Sequence, residues 1–339
     1  MHDLAVFIGR FQPFHIGHKT ILNKALIAAD RVLVLIGSSF EPRSLRNPFF
    51  FEEREALLRA CFSPQDNKRI ICRPLRDIRY NDALWLRQVQ KAIYEIEGDK
   101  ELDITLIGLA SPQGTGYFTS LFPQWNATPI HHNDADIHGV DIRHHLFSGG
   151  KIDELHTVIA PETLEFIKKF MMSDAGNTLQ QEHHFIELYK KGWENAPFQP
   201  THVTVDCVVI QSGHVLLVKR NAQPGKGLLA LPGGFIHAGE TLLNAAIRKL
   251  KEETQIKVPV PVLIGSVKNQ SVFDAPFRSV RGRTITHSFY IELRGEPELP
   301  KIKSGGETSK CLWMPLGHLD SRDMFEDHYF IIQRTLGMT

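Results

Sequence analysis

Several features that define specialised classes of protein are scarce in this chain of 339 residues. It has four cysteines, too far apart to form the C-x-x-C pair of a zinc site or a redox dithiol. Lys and Arg number 39 against 38 Asp and Glu, so no overall field favours a nucleic acid or an anionic membrane. Apolar runs are no longer than strands, which disfavours membrane spans and export signals. We therefore expect reduced thiols, a soluble cytoplasmic protein and small-molecule partners, with no nucleic acid or membrane among them.

The composition and length are those of a globular protein with two domains. In the first half, short β-branched runs alternate with helical stretches. Strands are predicted at Leu4–Ile8, Val32–Ile36, Arg69–Pro74 and Asp103–Ile107, and helices near His18–Ala29, Phe51–Cys61 and Asp82–Ile96. This alternation predicts an α/β, Rossmann-like domain with a parallel sheet, whose ligands bind at the carboxyl ends of the strands.

The pattern changes after about residue 170, where one polar helical segment leads to a proline-bearing run at 196–200. Beyond it, the strands His202–Gln211 and His214–Lys219 flank Ser212-Gly213, a hairpin signal, and a strong helix follows near Thr241–Thr254. We predict a first domain over 1–170, a helical linker over 171–200, and an α+β domain with a mixed sheet over 201–339.

The first candidate site is the run GRFQPFHIGH, which begins at Gly9 after the first strand and opens the first helix. His15 and His18 lie on one turn at the helix N-terminus, where backbone N–H groups and the helix dipole attract anions. The spacing indicates a phosphate site, with a glycine turn carrying two surface histidines as the alternative. The residues expected to contact substrate in this run are Gly9, Arg10, Gln12 and Phe14.

This run resembles the H-x-G-H signature of the nucleotidyltransferase superfamily. Segments at 47–54, 77–85 and 121–125 are similar to those of nicotinamide mononucleotide (NMN) adenylyltransferases of the archaeal type. The resemblance implies that ATP is a substrate, and that the NMN phosphate attacks its α-phosphorus to give NAD and pyrophosphate. It places His15 and His18 on the ATP phosphates and Trp85 against the nicotinamide ring, and Asn81 is expected to contact substrate. Core packing is the alternative for Trp85, and another phosphorylated acceptor is the alternative to NMN.

The resemblance also implies a second phosphate loop before a late helix, and the corresponding stretch here is Ile137–Arg143. There Arg143 can hold the leaving pyrophosphate through two hydrogen bonds. His138 and Val140 stand where the family has hydroxyl residues, and the run 108–112 lacks the family's Lys-Asp pair. His138 can replace one of the missing donors.

The second candidate site combines a glycine turn at Gly233-Gly234 with acids at the carboxyl end of the strong helix. Glu252 and Glu253, together with Glu240, supply hard oxygen ligands for Mg²⁺ or Mn²⁺. Arg248 can pair with Glu252 one turn away. A solvated acidic helix end is the alternative.

The spacing from Gly234 through Glu240 and Arg248 to the two acids resembles the Nudix box, and the run 279–284 is similar to that of Nudix hydrolases acting on ADP-ribose. The resemblance implies a divalent metal at Glu252, Glu253 and Gly233, and substrate contact by Arg281. The reaction implied is attack of water on a pyrophosphate, yielding AMP and ribose 5-phosphate. Lys249 replaces the first Glu of the box, and Gln255 replaces a usual Gly. Glu307 can complete the site or act as base, and an acid in a surface turn is the alternative for it.

Together these signals predict a bifunctional enzyme of NAD metabolism, with a nucleotidyltransferase domain followed by a Nudix domain. Its partners are ATP, NMN and ADP-ribose, and it can assemble as a homo-oligomer. In one alternative, favoured by Lys249, the Nudix half is a non-catalytic nucleotide sensor. A DNA-binding regulator is a weaker alternative, because we find no basic recognition helix.

Overall fold

A computed structural model describes residues 1–98, 101–109, 115–130, 137–306 and 308–338. The chain divides into two compact units, Met1–His183 and His184–Thr339. The division falls within the segment predicted as a helical linker, inside a helix that spans Asp174–Lys191. The domain bounds given above stay a prediction.

The first unit is built on a sheet of five parallel strands in the order β3-β2-β1-β4-β5. The strands are β1 His2–Gly9, β2 Ala29–Ile36, β3 Ile70–Pro74, β4 Ile104–Leu109 and β5 Asn126–Ile130. This sheet confirms the α/β class predicted from the alternating pattern. The strand order reverses between the neighbouring strands β1 and β4. Sheets of this kind bind ligands at such a switch point.

Both faces of this sheet are buried. Ala5 and Phe7 pack in one apolar cluster, while their neighbours Leu4 and Val6 pack in another, because successive side chains of a strand point to opposite faces. This double burial explains why β1 reads as a continuous apolar run. The helices of the unit are α1 Ile16–Ala28, α2 Phe51–Ala60, α3 Pro64–Asn67, α4 Asp82–Glu97, α5 Thr115–Leu121, α6 Gly139–Phe147, α7 Pro161–Met171 and α8 Asp174–Lys191.

The second unit contains a seven-stranded mixed sheet in the order β10-β11-β6-β7-β12, with β8 paired to β7 and β9 to β6. The strands are β6 His202–Gln211, β7 His214–Arg220, β8 Leu229–Ala230, β9 Gly233–Phe235, β10 Val267–Phe273, β11 Thr284–Glu292 and β12 Thr308–Pro315. The pair β6–β11 is parallel, whereas the neighbours β7 and β10 run antiparallel to them. Ser212 and Gly213 join β6 to β7 with φ of 46° and 73°, as a tight hairpin turn requires.

The helices of this unit are α9 Leu242–Thr254, α10 Val260–Gly265 and α11 His328–Thr335. Thr241 caps α9 by accepting a hydrogen bond from the backbone N–H of Asn244 at 3.3 Å. Ala246 and Leu250 of α9 pack with Val205 and Val209 of β6, so the acidic end of the helix is held beside the sheet. No helix within the described parts of the chain is long and apolar enough to cross a membrane.

Candidate active sites

Two imidazoles meet at the start of α1. The rings of His15 and His18 are stacked, with centroids 3.6 Å apart. Phe11 and Phe14 pack against His18, with centroid separations of 4.8 and 5.7 Å. The prediction that these two histidines share one turn is confirmed.

The hydrogen bonding of His18 fixes where its proton lies. The backbone N–H of His15 donates to Nδ1 of His18 at 3.3 Å, so the neutral ring carries its proton on Nε2. Burial, and then the neighbouring His15, hold the pKa of His18 well below its usual value. His18 is therefore a neutral N–H donor at physiological pH.

Three guanidinium groups surround the same end of the sheet. Arg143 of α6 is buried, and its Nη1 donates to the Gln12 carbonyl at 2.6 Å. Burial, and then the charges of Arg10 and Arg46, lower the pKa of Arg143 to about 10. The group Nη1 of Arg10 is buried without a hydrogen-bond partner among the described residues. Such a cluster of mutually repelling cations favours a polyanion.

A fourth arginine holds the loops beneath this cluster. Arg54 is fully buried, and its Nη1 donates to the carbonyls of Arg10 at 2.6 Å and Gly37 at 2.7 Å. It also donates to the carbonyls of Phe50 and Ser38, each at 3.3 Å. These bonds tie together the loops that follow β1 and β2, so Arg54 is a positioning residue for the site.

Three predicted contact residues are used by the fold itself. The side-chain amide of Gln12 exchanges two hydrogen bonds with the backbone of Phe49, at 2.9 and 3.0 Å. Phe14 is buried in the apolar cluster, and its contact with the site is the packing of its ring against the ring of His18. A side chain at Gly9 would meet the ring of Phe11 at 3.0 Å, which is a packing reason for glycine. Their contacts to substrate stay predictions.

Two predicted substrate residues, Asn81 and Trp85, lie at and near the start of α4. The Asn81 side chain caps the helix by accepting a hydrogen bond from the Leu84 N–H at 3.1 Å. Trp85 is half-buried and stacks on Phe118 with centroids 6.0 Å apart and planes 20° apart. One face of Trp85 therefore packs against Phe118, which agrees with core packing, the alternative role given above for this residue.

At the second phosphate loop, His138 is the N-cap of α6 and makes no side-chain cap hydrogen bond. Val140 is exposed. The loop brings Gly139 against the Gln12 carbonyl, where a Cβ would lie 3.0 Å from that oxygen. The loop and Arg143 therefore both contact the Gln12 carbonyl in the segment that precedes His15.

In the second unit, the acids of α9 face the glycine turn. The backbone N–H of Gly233 donates to Oε2 of Glu253 at 3.1 Å. Burial raises the pKa of Glu253 to about 7, against the lowering effects of this hydrogen bond and of Lys249. Such a buried acid is a functional candidate and a suitable donor to a hard cation.

Arg248 organises the remaining acids. Its Nε donates to Glu240 at 2.9 Å and its Nη1 to Glu252 at 3.1 Å, which confirms the predicted pairing. The hydrogen bond from Arg248 is the main cause that lowers the pKa of Glu240 to about 2. Glu240 is thus committed to the arginine, while Glu252 is half-exposed beside Glu253.

Asp206 is a further acid that the sequence reasoning missed. It lies buried on β6 opposite Gly233, and Oδ2 accepts a hydrogen bond from the Thr286 hydroxyl at 2.9 Å. A Cβ at Gly233 would collide with the Asp206 carboxylate, so glycine is required there. The signal was an acid in the middle of the otherwise apolar run VTVDCVVI.

A cavity of about 330 Å³ opens over these residues. Its lining combines the acids Asp206 and Glu253 with Arg281 and the aromatic rings of Phe235 and Tyr189. The Arg281 guanidinium lies 5.1 Å from the centroid of the Phe235 ring. A concave site with rings and charges of both signs suits a nucleotide.

The residues present fit a divalent cation through carboxylate oxygens at the Glu253 end of this cavity. Within the described ranges, however, no group of three or more His, Cys, Asp or Glu side chains converges as a metal site. Glu307, suggested as a further ligand or base, lies outside the described residues, as do residues 110–112 of the run without a Lys-Asp pair.

Family profiles match both halves of the chain. The cytidylyltransferase-like family matches residues 6–117, and the NUDIX domain family matches residues 200–334. A nicotinamide/nicotinic acid mononucleotide adenylyltransferase of Acinetobacter baylyi is 32% identical over 182 residues, covering 53% of this chain and 93% of that protein. An ADP-ribose pyrophosphatase of Methanocaldococcus jannaschii is 34% identical over 131 residues, covering 39% of this chain and 70% of that protein.

Solved structures match the whole chain. The crystal structure of a bifunctional NMN adenylyltransferase/ADP ribose pyrophosphatase from Francisella tularensis is 34% identical, covers 99% of each chain and has a TM-score of 0.91. A structure of such a protein from the same organism, complexed with AMP and an Mn ion, is 34% identical with a TM-score of 0.90, covering 100% of this chain and 99% of that chain. By its sequence and its fold, this chain belongs to the family of bifunctional NMN adenylyltransferase/ADP ribose pyrophosphatase proteins.

Proposed function

We propose that the chain carries two activities of NAD metabolism, one in each unit. The first unit transfers AMP from ATP to NMN, giving NAD and pyrophosphate. The second hydrolyses ADP-ribose to AMP and ribose 5-phosphate. The observation that carries this proposal is the presence of two sites. One consists of imidazoles and guanidiniums that favour a polyanion, and the other consists of acids that suit a hard cation beside a cavity that suits a nucleotide.

For the transferase, the chemistry needs charge neutralisation and alignment rather than a general base. The NMN phosphate is largely ionised near neutral pH, because its second pKa is about 6. His18 then donates through Nε2 to the ATP phosphates beside His15, and Arg143 with Arg10 neutralises the pyrophosphate as it leaves. Trp85 and Asn81 line the acceptor side in this proposal.

For the hydrolase, Glu252 and Glu253 with the Gly233 carbonyl would hold Mg²⁺ or Mn²⁺, and the bound metal would supply an activated water. Arg281 and Phe235 bind the nucleotide in the cavity. The proposed partners are therefore ATP, NMN and ADP-ribose, in a cytoplasmic protein that can form homo-oligomers. The domain bounds proposed are 1–170 and 201–339, with a helical linker over 171–200.

Two incubations test the proposal. Purified full-length protein is given NMN, ATP and Mg²⁺ in one, and ADP-ribose with Mn²⁺ in the other, and the products are separated by chromatography. NAD in the first and AMP in the second are expected, and absence of either product would refute the activity proposed for that unit.

The second candidate function keeps the transferase but makes the Nudix half a nucleotide sensor. It is favoured by Lys249, whose ammonium lies among the acids. Binding of ADP-ribose without AMP formation at saturating Mn²⁺ would support the sensor over the hydrolase.

A further inference from the structure

Lys249 places a fixed positive charge beside the acids of the second site. Its Nζ lies 3.6 Å from Oε2 of Glu252, and its charge lowers the pKa of Glu253 against the effect of burial. The side chain also lines the cavity together with Glu253 and Arg281. An ammonium is a compact, strongly hydrated point charge, so it repels a divalent cation brought to the same carboxylates.

The stem of Lys249 is held in place by the glycine turn. A Cβ on Gly234 would lie 3.0 Å from Cε of Lys249, and Gly234 has φ of 154°, which favours glycine. The lysine therefore lies against a backbone surface that a side chain would block. The charged side chain of Lys249 lines the cavity.

The donors that remain are few. Glu240 is committed to Arg248, and Glu252 shares its carboxylate between Arg248 and Lys249. Among the described residues no three-ligand group forms. A divalent cation needs six or more oxygen ligands, so most of them must come from water or from the nucleotide.

We propose that Lys249 makes divalent-metal binding at this site depend on the diphosphate of the bound nucleotide. The diphosphate carries two negative charges and several oxygen atoms. It neutralises the ammonium, removes the repulsion and completes the metal's ligand set. The metal then binds with the nucleotide or after it. This inference rests on the proposed function, since it takes ADP-ribose as the ligand of the cavity.

The test measures Mn²⁺ binding to the full chain by the loss of the free-ion electron paramagnetic resonance signal, with and without the α,β-methylene analogue of ADP-ribose. We expect the analogue to tighten Mn²⁺ binding to the native protein by at least about 30-fold. Glu253→Gln gives the background from the rest of the chain. The proposal is overturned if the analogue leaves Mn²⁺ affinity unchanged.

Substitutions at Lys249 separate its charge from its packing. Lys249→Glu is expected to bind Mn²⁺ at least about tenfold more tightly than the native protein without the analogue. The matched control Lys257→Glu makes the same charge change at an exposed position outside the cavity lining and is expected to behave like the native protein. Equal affinities of Lys249→Glu and native protein without the analogue would overturn the proposal.

If Lys249→Glu fails to fold, Lys249→Met decides, because it keeps the stem and removes the charge. Tighter Mn²⁺ binding without the analogue supports the proposal, and unchanged binding overturns it. Hydrolysis of ADP-ribose is scored separately at saturating Mn²⁺. Hydrolysis with analogue-independent Mn²⁺ binding refutes this inference alone, whereas analogue-dependent binding without hydrolysis refutes the pyrophosphatase activity alone.

Discussion

Replacing Arg54 by methionine tests how the first site is held. Methionine fills much of the same space but donates no hydrogen bond, so four backbone carbonyls lose a donor. The two short bonds, to Arg10 at 2.6 Å and Gly37 at 2.7 Å, dominate the loss. A buried bond from a charged group contributes about 1.5–3 kcal/mol, and removing a buried charge recovers part of that sum. We expect a net loss of about 3 kcal/mol.

The assay is thermal unfolding by calorimetry, combined with hydrogen exchange of the peptides that cover β1 and β2. For a unit of this size, about 3 kcal/mol corresponds to a fall in Tm of roughly 6–12 °C. The transition of the second unit should not move. Exchange should accelerate in the loops after β1 and β2, and the KM for ATP should rise because Arg10 loses its support.

Arg87→Met is the matched control, because Arg87 is exposed on α4 of the same unit. Surface substitutions of this kind usually change stability by less than about 0.5 kcal/mol. If Arg54→Met lowers the Tm no more than Arg87→Met does, the idea that Arg54 supports the two loops is wrong.

Three further predictions concern other charged or titratable side chains. Arg143→Lys should lower kcat for NAD formation by about 10–100-fold in steady-state assays, because an ammonium cannot replace the planar donors of a guanidinium; ADP-ribose hydrolysis should not change. The pKa of His18 is lower in the folded state than in the unfolded chain, so on acidification the unfolded chain takes up a proton at a higher pH than the folded protein does. The free energy of unfolding is therefore retained above about pH 6.5 and falls as the pH drops below that value. Urea titrations at pH 7.5 and 5.5 should show a smaller loss for His18→Asn than for the native protein. Arg278→Met leaves the carboxylate of Asp327 buried without the bonds of 2.9 and 2.7 Å, and should cost about 3–5 kcal/mol in thermal unfolding of the second unit.

Much of the fold follows from local pattern. The strand predicted at His202–Gln211 is the observed β6, and the Ser212-Gly213 signal is the observed hairpin turn. In contrast, the edge strand β5, with the sequence NATPI, escaped prediction. It has few apolar residues and is largely exposed, so its pairing with β4 leaves little trace in the sequence.

In the sites, as in the fold, contacts between residues close in sequence are predictable and long-range contacts are not. The stacking of His15 on His18 and the pairing of Arg248 with Glu252 join residues three or four positions apart, which helical spacing predicts. Long-range contacts are different. The Gln12 amide is taken by the backbone of Phe49, 37 residues away, and no local pattern reports that contact.

The central claim is that each unit carries its own phosphate chemistry. The most direct measurement compares the native protein, His18→Asn and Glu253→Gln in the NAD-forming and AMP-forming incubations. The account predicts that His18→Asn loses NAD formation by about 100-fold or more and keeps AMP formation, while Glu253→Gln does the reverse. Loss of both products in either variant, with the chain still folded, would contradict it.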